Sequence, residues 1–518
     1  MARLKRSWIW IGPLIILLVG VFILFVENYQ EVTGPPSEEW SREIELGTLS
    51  SNIQPHVSEM SNSTLSISYA TKKGVQQKIL SDTNQVIAKH TYDIPYNKWT
   101  ETYVKNDHVL YFDYYAIYDG KTKEKITDAS RFIPLKNNVV YQQGLEIFIM
   151  NPETKTSSSL LTLPDDNVEF SMYEADSQIY LMTQKTDTSG IDITFYQVKQ
   201  TTVSKLAETQ FQTKPSEVAK SIQFTIEDHQ YSLFLQTFQK QSMSGKPVSH
   251  YYYSKQPLDE KPQLESITFS DPAANQALSE ISDFEIGTEN GQTVLLFKGY
   301  GFTKTGYRED GQFNIYQAII NEQGKSTTTR LSNTPDSSSQ PERINEDAII
   351  WVDGQGDTNR LLLASSHPEV IEQAQQVSGE YLLGALGKTV GMLSYSFFAV
   401  IVGLIWYIWP LIFLAVMMFS SNKAYDKDQE WVFFLGAFIY LGAAILFKDR
   451  IYTPSLLSRA PEYLSFTGSS IVYTLVFALV IYAIMQLSKR DWSITVRLSY
   501  FVGVHLLFVT IFYGPYLI

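Results

Sequence analysis

From Tyr381 to Phe419 the chain reads YLLGALGKTVGMLSYSFFAVIVGLIWYIWPLIFLAVMMF, an apolar run in which Lys388 carries the one formal charge. A bilayer core about 30 Å thick takes roughly 20 apolar residues as helix, so a run this long is expected to enter a membrane. It divides the chain into unlike parts. Before it lies a long stretch rich in Thr, Ser, Gln and Tyr; after it come three further apolar runs. The overall 44% hydrophobic content is an average over the two. At 1.5 Å per residue the whole run as one helix would be about 60 Å long, twice what a span needs. The expected span is therefore Leu393 to Phe419, with the Gly-containing part before it at or above the membrane surface. The rival is a hairpin of two spans, which lacks a turn signal between Ser396 and Gly403.

The start of the chain repeats the membrane signal. Arg3, Lys5 and Arg6 precede the apolar stretch Trp8 to Val26, a cationic flank that places residues 1–7 in the cytoplasm. A cleaved signal peptide is the competing reading. Its apolar segment is normally shorter, and no small-x-small site precedes Glu27. Residues 8–26 are thus read as an anchor and 27–45 as a tether, broken by Gly34-Pro35-Pro36.

Residues 46–365 have little helical periodicity. Short β-branched and aromatic runs alternate with Asn, Asp, Gly, Ser and Pro, the pattern of strands and turns. The pattern recurs: HVLYFDYYAIYDGKTKEKI (His108 to Ile126), NVVYQQGLEIFIMNPETKTSSSLLTL (Asn138 to Leu163), QIYLMTQK from Gln178, YSLFLQTF from Tyr231, TVLLFKGYGF from Thr293 and AIIWVDGQGDTNRLLLASS from Ala348. Each unit has an apolar strand, a strand ending in an Ile-Tyr-Asp/Asn type of phrase, a polar turn and a Ser/Thr-rich strand. Turns at Asp119-Gly120-Lys121, Asn151-Pro152-Glu153 and Asn321 to Lys325 fall at matching places, where Asx and Gly supply the local bonds and positive φ of tight turns. With a first unit at Leu65 to Ile94, about seven units recur every 45 residues or so. That is the size of a four-stranded propeller blade. The predicted fold is a mainly β ectodomain, a β-propeller of about seven blades, with α-helical transmembrane segments, one N-terminal and four C-terminal. A juxtamembrane helix is expected at 366–392 and a four-helix transmembrane bundle at 393–518, its further spans near 431–447, 470–487 and 498–518. Lys423 and Lys427 in one connecting loop, and Lys489, Arg490 and Arg497 in another, put those loops inside and the large domain outside.

The formal net charge of −13 argues against nucleic acid, whose phosphates need a basic face. The absence of cysteine excludes disulfides, thiolate metal sites, cysteine nucleophiles and thioether lipid anchors. This usage suits a single-membrane bacterium. No P-loop, Rossmann glycine pattern, G-x-S-x-G elbow or H-E-x-x-H occurs, and the seven histidines are scattered. No cofactor is expected.

Four features merit testing for chemistry. Asp353-Gly354-Gln355-Gly356-Asp357 resembles part of a calcium loop, which makes Asp353 and Asp357 candidate metal ligands; the closing Glu is missing and a hairpin turn explains the phrase. Glu309-Asp310-Gly311 reads likewise as a solvated turn. His505 is the ionisable group at depth in the apolar region, a polar site read as a neutral hydrogen-bonding partner. The tyrosine clusters Tyr111/Tyr114/Tyr115/Tyr118 and Tyr251/Tyr252/Tyr253 should each divide between core and surface, because alternate strand positions share a face. Exposed tyrosines can form a recognition rim for glycans or peptides. The functional expectation is a multi-pass bacterial cell-membrane protein whose extracytoplasmic propeller binds or scaffolds a cell-envelope component or membrane partner. The alternatives are an envelope-acting hydrolase or lyase using Asp113, Asp119 or Asp353, and a sensor or transporter accessory subunit.

Overall fold

The computed structural model describes residues 2–517 apart from 51–52, 61–63, 96, 98, 176–177, 188–189, 240–247, 275, 307–310, 322, 356–357, 421–427 and 489–490. The chain forms two compact units, residues 34–303 with 310–376, and residues 1–33 with 304–309 and 377–518.

The first unit is a seven-bladed β-propeller. Its strands β1 to β28, from Ile44–Leu49 to Thr358–Ser365, form seven four-stranded antiparallel sheets. Six are simple meanders of consecutive strands, β2 (His56–Glu59) to β5 (Val86–Tyr92) being blade 1 and β6 (Glu101–Lys105) to β9 (Lys125–Asp128) blade 2. Blade 7 has the order β1-β28-β27-β26, so its outermost strand comes from the front of the chain. Ile44 pairs with Leu363 and Leu49 with Asn359, which closes the ring and leaves no blade to fray alone.

Burial explains why these sequences become these strands. The second strand of a blade is covered on both faces by its neighbours, so it reads as a continuous apolar run. In β27 (Ala348–Gln355) Ile349, Ile350, Trp351 and Val352 are all buried; in β19 (Gln230–Gln239) so are Leu233, Phe234 and Leu235. These second strands are the apolar openings of the sequence units, so the repeat shows in the sequence one strand out of phase with the blades. The turn between third and fourth strands is capped in the same way in three blades. Asp119 Oδ1 accepts from the backbone N–H of Lys121 and Thr122, both at 2.7 Å. Asn151 Oδ1 accepts from Glu153 and Thr154, and Asn321 Oδ1 from Gln323 and Lys325.

Residues 34–43 act as a strap across the closing blade. Asn333 donates to the Gly34 carbonyl (3.1 Å), and Ser41 exchanges bonds with Ser365. Trp40 is buried against Leu296 and Ile315 of blade 6 and Ile349 and Trp351 of blade 7. A short helix α2 (Pro368–Ala374) follows β28, and Arg42 donates to the Ala374 carbonyl.

The second unit is helical: α1 (Ala2–Val32), α3 (Gly379–Val402), α4 (Leu404–Ser420), α5 (Glu430–Leu446), short α6 (Pro454–Arg459) and α7 (Glu462–Ser465), α8 (Ser469–Ser488) and α9 (Ile494–Phe512). Among the described residues four helical stretches are long and apolar enough to cross a membrane, 7–32, 379–419, 469–488 and 494–512; Glu430–Leu446 is a shorter apolar helix.

Two boundaries differ from the sequence expectation. Helix α1 continues through residues 27–32, where a tether is expected, because nothing before Gly34-Pro35 stops a helix; the loss of apolar residues at Glu27 does not end the helical backbone. The stretch 366–392 is not one helix either. It breaks after Ala374 and restarts at Ser378, whose hydroxyl accepts from the Tyr381 N–H as an N-cap. At Gly403 the backbone stays right-handed helical (φ −65°, ψ −11°), so the apolar run passes from α3 into α4 without a hairpin.

Candidate ligand-binding site

Blade 2 carries a patch built from its connecting segments. In a four-stranded meander the link into the first strand and the turn between the second and third strands open at the same end of the blade. In blade 2 these segments hold Trp99, just before β6, and Tyr114 and Tyr115, between β7 (His108–Phe112) and β8 (Ala116–Asp119). The three rings meet. Trp99 and Tyr114 have centroids 6.0 Å apart, and Tyr115 stands perpendicular to Tyr114 at 5.4 Å. They are 57%, 56% and 73% exposed; among the described residues of the propeller unit the other large exposed apolar side chains are Val86, Ile87 and Val248. The exposed aromatics among the described residues of this unit are thus gathered at one place.

The turn is fixed from beneath. Asp113 Oδ1 accepts from the N–H groups of Tyr115 (3.0 Å) and Ala116 (2.9 Å), and the Tyr115 carbonyl accepts from Ala129 N–H. Tyr114 has φ +85°, a left-handed backbone that costs a bulky residue about 1–2 kcal/mol. Its ring lies 6.5 Å from that of buried Phe112, which stacks on Phe132. The Trp99 backbone N–H donates to Asn97 Oδ1 at 2.7 Å.

Two charged groups lie on the first strands of blades 2 and 3. Glu101, two residues beyond Trp99, pairs in register with Phe112. Burial pushes its carboxyl up to about 7, against the pull of Arg131. The Arg131 guanidinium lies 4.5 Å over the Phe170 ring; burial lowers its pKa, opposed by Glu169 and Glu101.

The sequence-selected residues are dispersed. Asp113 and Asp119 are turn caps of blade 2. Burial acts to raise Asp119, but a contact to Lys155 and two backbone N–H donors hold it down to about 2. Asp353 lies in blade 7, fully buried, accepting from Thr334 (2.8 Å) and Ser338 (3.1 Å) and paired with Arg360 at 3.1 Å. Blade 1 separates these groups, and local donors occupy their oxygens, so the carboxylates proposed for hydrolysis do not converge. Asp357, Glu309, Asp310, Lys423, Lys427, Lys489 and Arg490 lie outside the described residues. His505 is buried in the helical unit between α5, α8 and α9. Its Nε2 lies 2.9 Å from the Thr474 carbonyl, which can only accept, so Nε2 carries a proton; Nδ1 lies 2.9 Å from the Tyr440 hydroxyl. Of the tyrosine clusters, Tyr111, Tyr252 and Tyr253 are buried, and Tyr114 and Tyr115 form the patch.

Other groups have no sequence signal. Three inner-strand carboxylates cap backbone donors of neighbouring blades: Glu342 accepts from Val57 N–H, Glu285 from Arg343 N–H and Glu174 from Lys136 N–H. Burial raises all three, Glu342 furthest, with Glu285 repelling it. In the helical unit Glu27 accepts from Tyr463 (2.7 Å) and Tyr516 (2.8 Å), Asn28 donates to Thr389, and Glu31 pairs with buried Lys388. Only contact across the fold brings these partners together.

No family model matches the chain, and no curated protein matches it. Among solved structures it is similar to a Trypanosoma rangeli sialidase in complex with sialic acid, with 10% identity over 65% of this chain and a TM-score of 0.33. It is also similar to the dihydro-heme d1 dehydrogenase NirN, with 11% identity, 62% of this chain, 71% of that one and a TM-score of 0.34. The chain spans about 60% of the length of the sialidase it matches.

Proposed function

We propose that this is a multi-pass bacterial cell-membrane protein whose propeller is an extracytoplasmic, non-enzymatic binding or scaffolding module for a cell-envelope component or membrane partner. The observation that carries the membrane assignment is the outward side of the helices. Leu383, Phe397, Phe438, Leu446 and Leu479 are each about two-thirds or more exposed, a surface that water opposes at about 25 cal/mol per Å² and lipid does not. The binding assignment is supported by the aromatic patch of blade 2 and by the dispersal of the candidate catalytic carboxylates, which leaves the hydrolase reading unfavoured. The basic flank at Arg3, Lys5 and Arg6 orients residues 1–7 to the cytoplasm.

A chain without cysteine makes topology directly measurable. Single cysteines at Tyr115, Ser458 and Asp491 should react with a membrane-impermeant maleimide on intact cells at the first two positions, and at the third only after permeabilisation. Labelling of Asp491→Cys but not Tyr115→Cys on intact cells would reverse the orientation and defeat the assignment.

A further inference from the structure

We propose that a groove bounded by β1, the turn into β5 and helix α2 binds an extended, lysine- or arginine-rich segment of a partner protein, whose cations meet Glu45, Glu369 and Glu372. The inference rests on the binding-module reading and names the chemistry of the partner.

The groove has a volume of about 680 Å³ and lies wholly in the propeller unit. β1 contributes Glu45, the turn before β5 contributes Gln85 and Val86, and α2 contributes Glu369, Glu372 and Gln373. On α2 the burial of Val370 and Ala374 decides which face is left over, and Glu369 and Glu372, three residues apart, are both exposed on it. Negative charge is therefore offered from two elements. None of the three carboxylates is ion-paired among the described residues. Two cations close by are committed to backbone carbonyls. Lys78, which feels the field of Glu45, donates to Leu46, and Arg42 donates to Ala374.

The lining selects the occupant. Unpaired carboxylates attract cations and repel nucleic acids, acidic glycans and acidic peptides. The described residues hold no group of three carboxylate or histidine side chains that could hold a metal ion, so the charges suit several cations spaced along one ligand and not a single ion. The Gln85 and Gln373 side chains have no partner among the described residues, and an amide both donates and accepts. A peptide backbone answers both functions, whereas a protonated polyamine only donates. Successive side chains of an extended chain point to opposite sides, which lets one segment serve carboxylates of two elements. Val86, 44% exposed, gives apolar cover to lysine stems. Pairing with the edge of β1 is blocked at Leu46, whose carbonyl already accepts from Lys78 and from Tyr69 (3.4 Å), so side chains and not a strand ladder carry the recognition.

The test uses the full chain in a non-ionic detergent, titrated by fluorescence anisotropy with a labelled decapeptide carrying four consecutive lysines in a Gly/Ser background. The matching tetraglutamate peptide, spermine and calcium serve as competitors. The lysine peptide is expected to bind, about threefold more weakly to Glu45→Gln, about threefold to Glu372→Gln and about tenfold to the double variant. Glu146→Gln, in blade 3, leaves it unchanged. Gln85→Ala with Gln373→Ala should lower peptide affinity by about threefold. All these side chains are exposed, so a loss of binding is not a loss of fold. The inference is overturned if the lysine peptide does not bind, if binding survives the double Glu substitution, if Glu146→Gln weakens it equally, or if spermine or calcium displaces it at equal concentration. Retention on isolated cell-envelope material separates the two levels. Equal retention of wild type and the double Glu variant removes the groove and leaves the binding-module reading, whereas failure of the wild type to be retained removes that reading itself.

Discussion

The two units solve opposite solvation problems. In the propeller the apolar runs lie inside: the second strands are buried on both faces, and among the described residues the large exposed apolar side chains are few, three of them in the blade 2 patch. In the helical unit Trp406, Tyr440, Phe433 and Phe508 fill the centre, while Leu383, Phe397, Phe419 and Phe438 face outward. Hydrophobic burial holds the propeller together. The helices, apolar on their outer faces too, are also tied by polar pairs: Lys388 with Glu31, Asn28 with Thr389 and His505 with Tyr440. Composition alone averages these regions into an ordinary globular value; position along the chain separates them.

The contrast can be broken most forcefully at the two kinds of apolar residue. Trp351→Ala should cost the propeller about 3–5 kcal/mol, while Phe438→Ala, on the outer face of α5, should stay within about 0.5 kcal/mol. Denaturant unfolding of both in detergent makes the comparison, and equal losses would erase the distinction. Next in size is Lys388→Met. It leaves Glu31 with the weaker partner Lys304, 3.8 Å away, and should destabilise the helical unit by about 1–3 kcal/mol, with the propeller's melting unchanged. Ring closure gives a comparable effect. A Cβ at Gly47, in the bulge of β1, would stand 2.2 Å from the Tyr69 hydroxyl, so Gly47→Val should cost about 1–3 kcal/mol, read as a lower denaturation midpoint with unchanged slope. The smallest effect depends on pH. Burial raises Glu101 to about 7, so its neutral form suits the fold. Its favourable contribution is complete below pH 4.5 or so and disappears as pH rises through about 7. Glu101→Gln should therefore match wild type at pH 4 and exceed it by about 1–2 kcal/mol at pH 8; a wild-type advantage at pH 8 would contradict the assignment.

Much of the architecture was legible because its determinants are local. Asp119, Asn151 and Asn321 each close a turn with their own neighbours' N–H groups, and the doubly buried second strands are short uninterrupted apolar runs. The first strands were not legible. Some, such as His56–Glu59, are four residues long, and they owe their place to the blades beside them. Ring closure by β1 was hidden for the same reason, since Ile44 and Leu363 are brought together by the whole circle. At the site, the tyrosine cluster and its partition between core and surface could be anticipated. Trp99 could not be joined to it, because thirteen intervening residues separate it from Asp113, and the link appears only when the meander folds. Glu101 and Arg131 carry no motif; burial makes them unusual.

The place where the circle is closed also has a mechanical consequence. Both chain exits of the propeller, before Ile44 and after Ser365, leave from adjacent antiparallel strands at the same end of blade 7. A load that draws those exits apart meets the Ser41–Ser365 bonds first and then opens the strand pair one rung at a time, the geometry in which a ladder yields to the least force. With Trp40 wedged between two blades beside that end, a single indole acts as the latch of the whole ring.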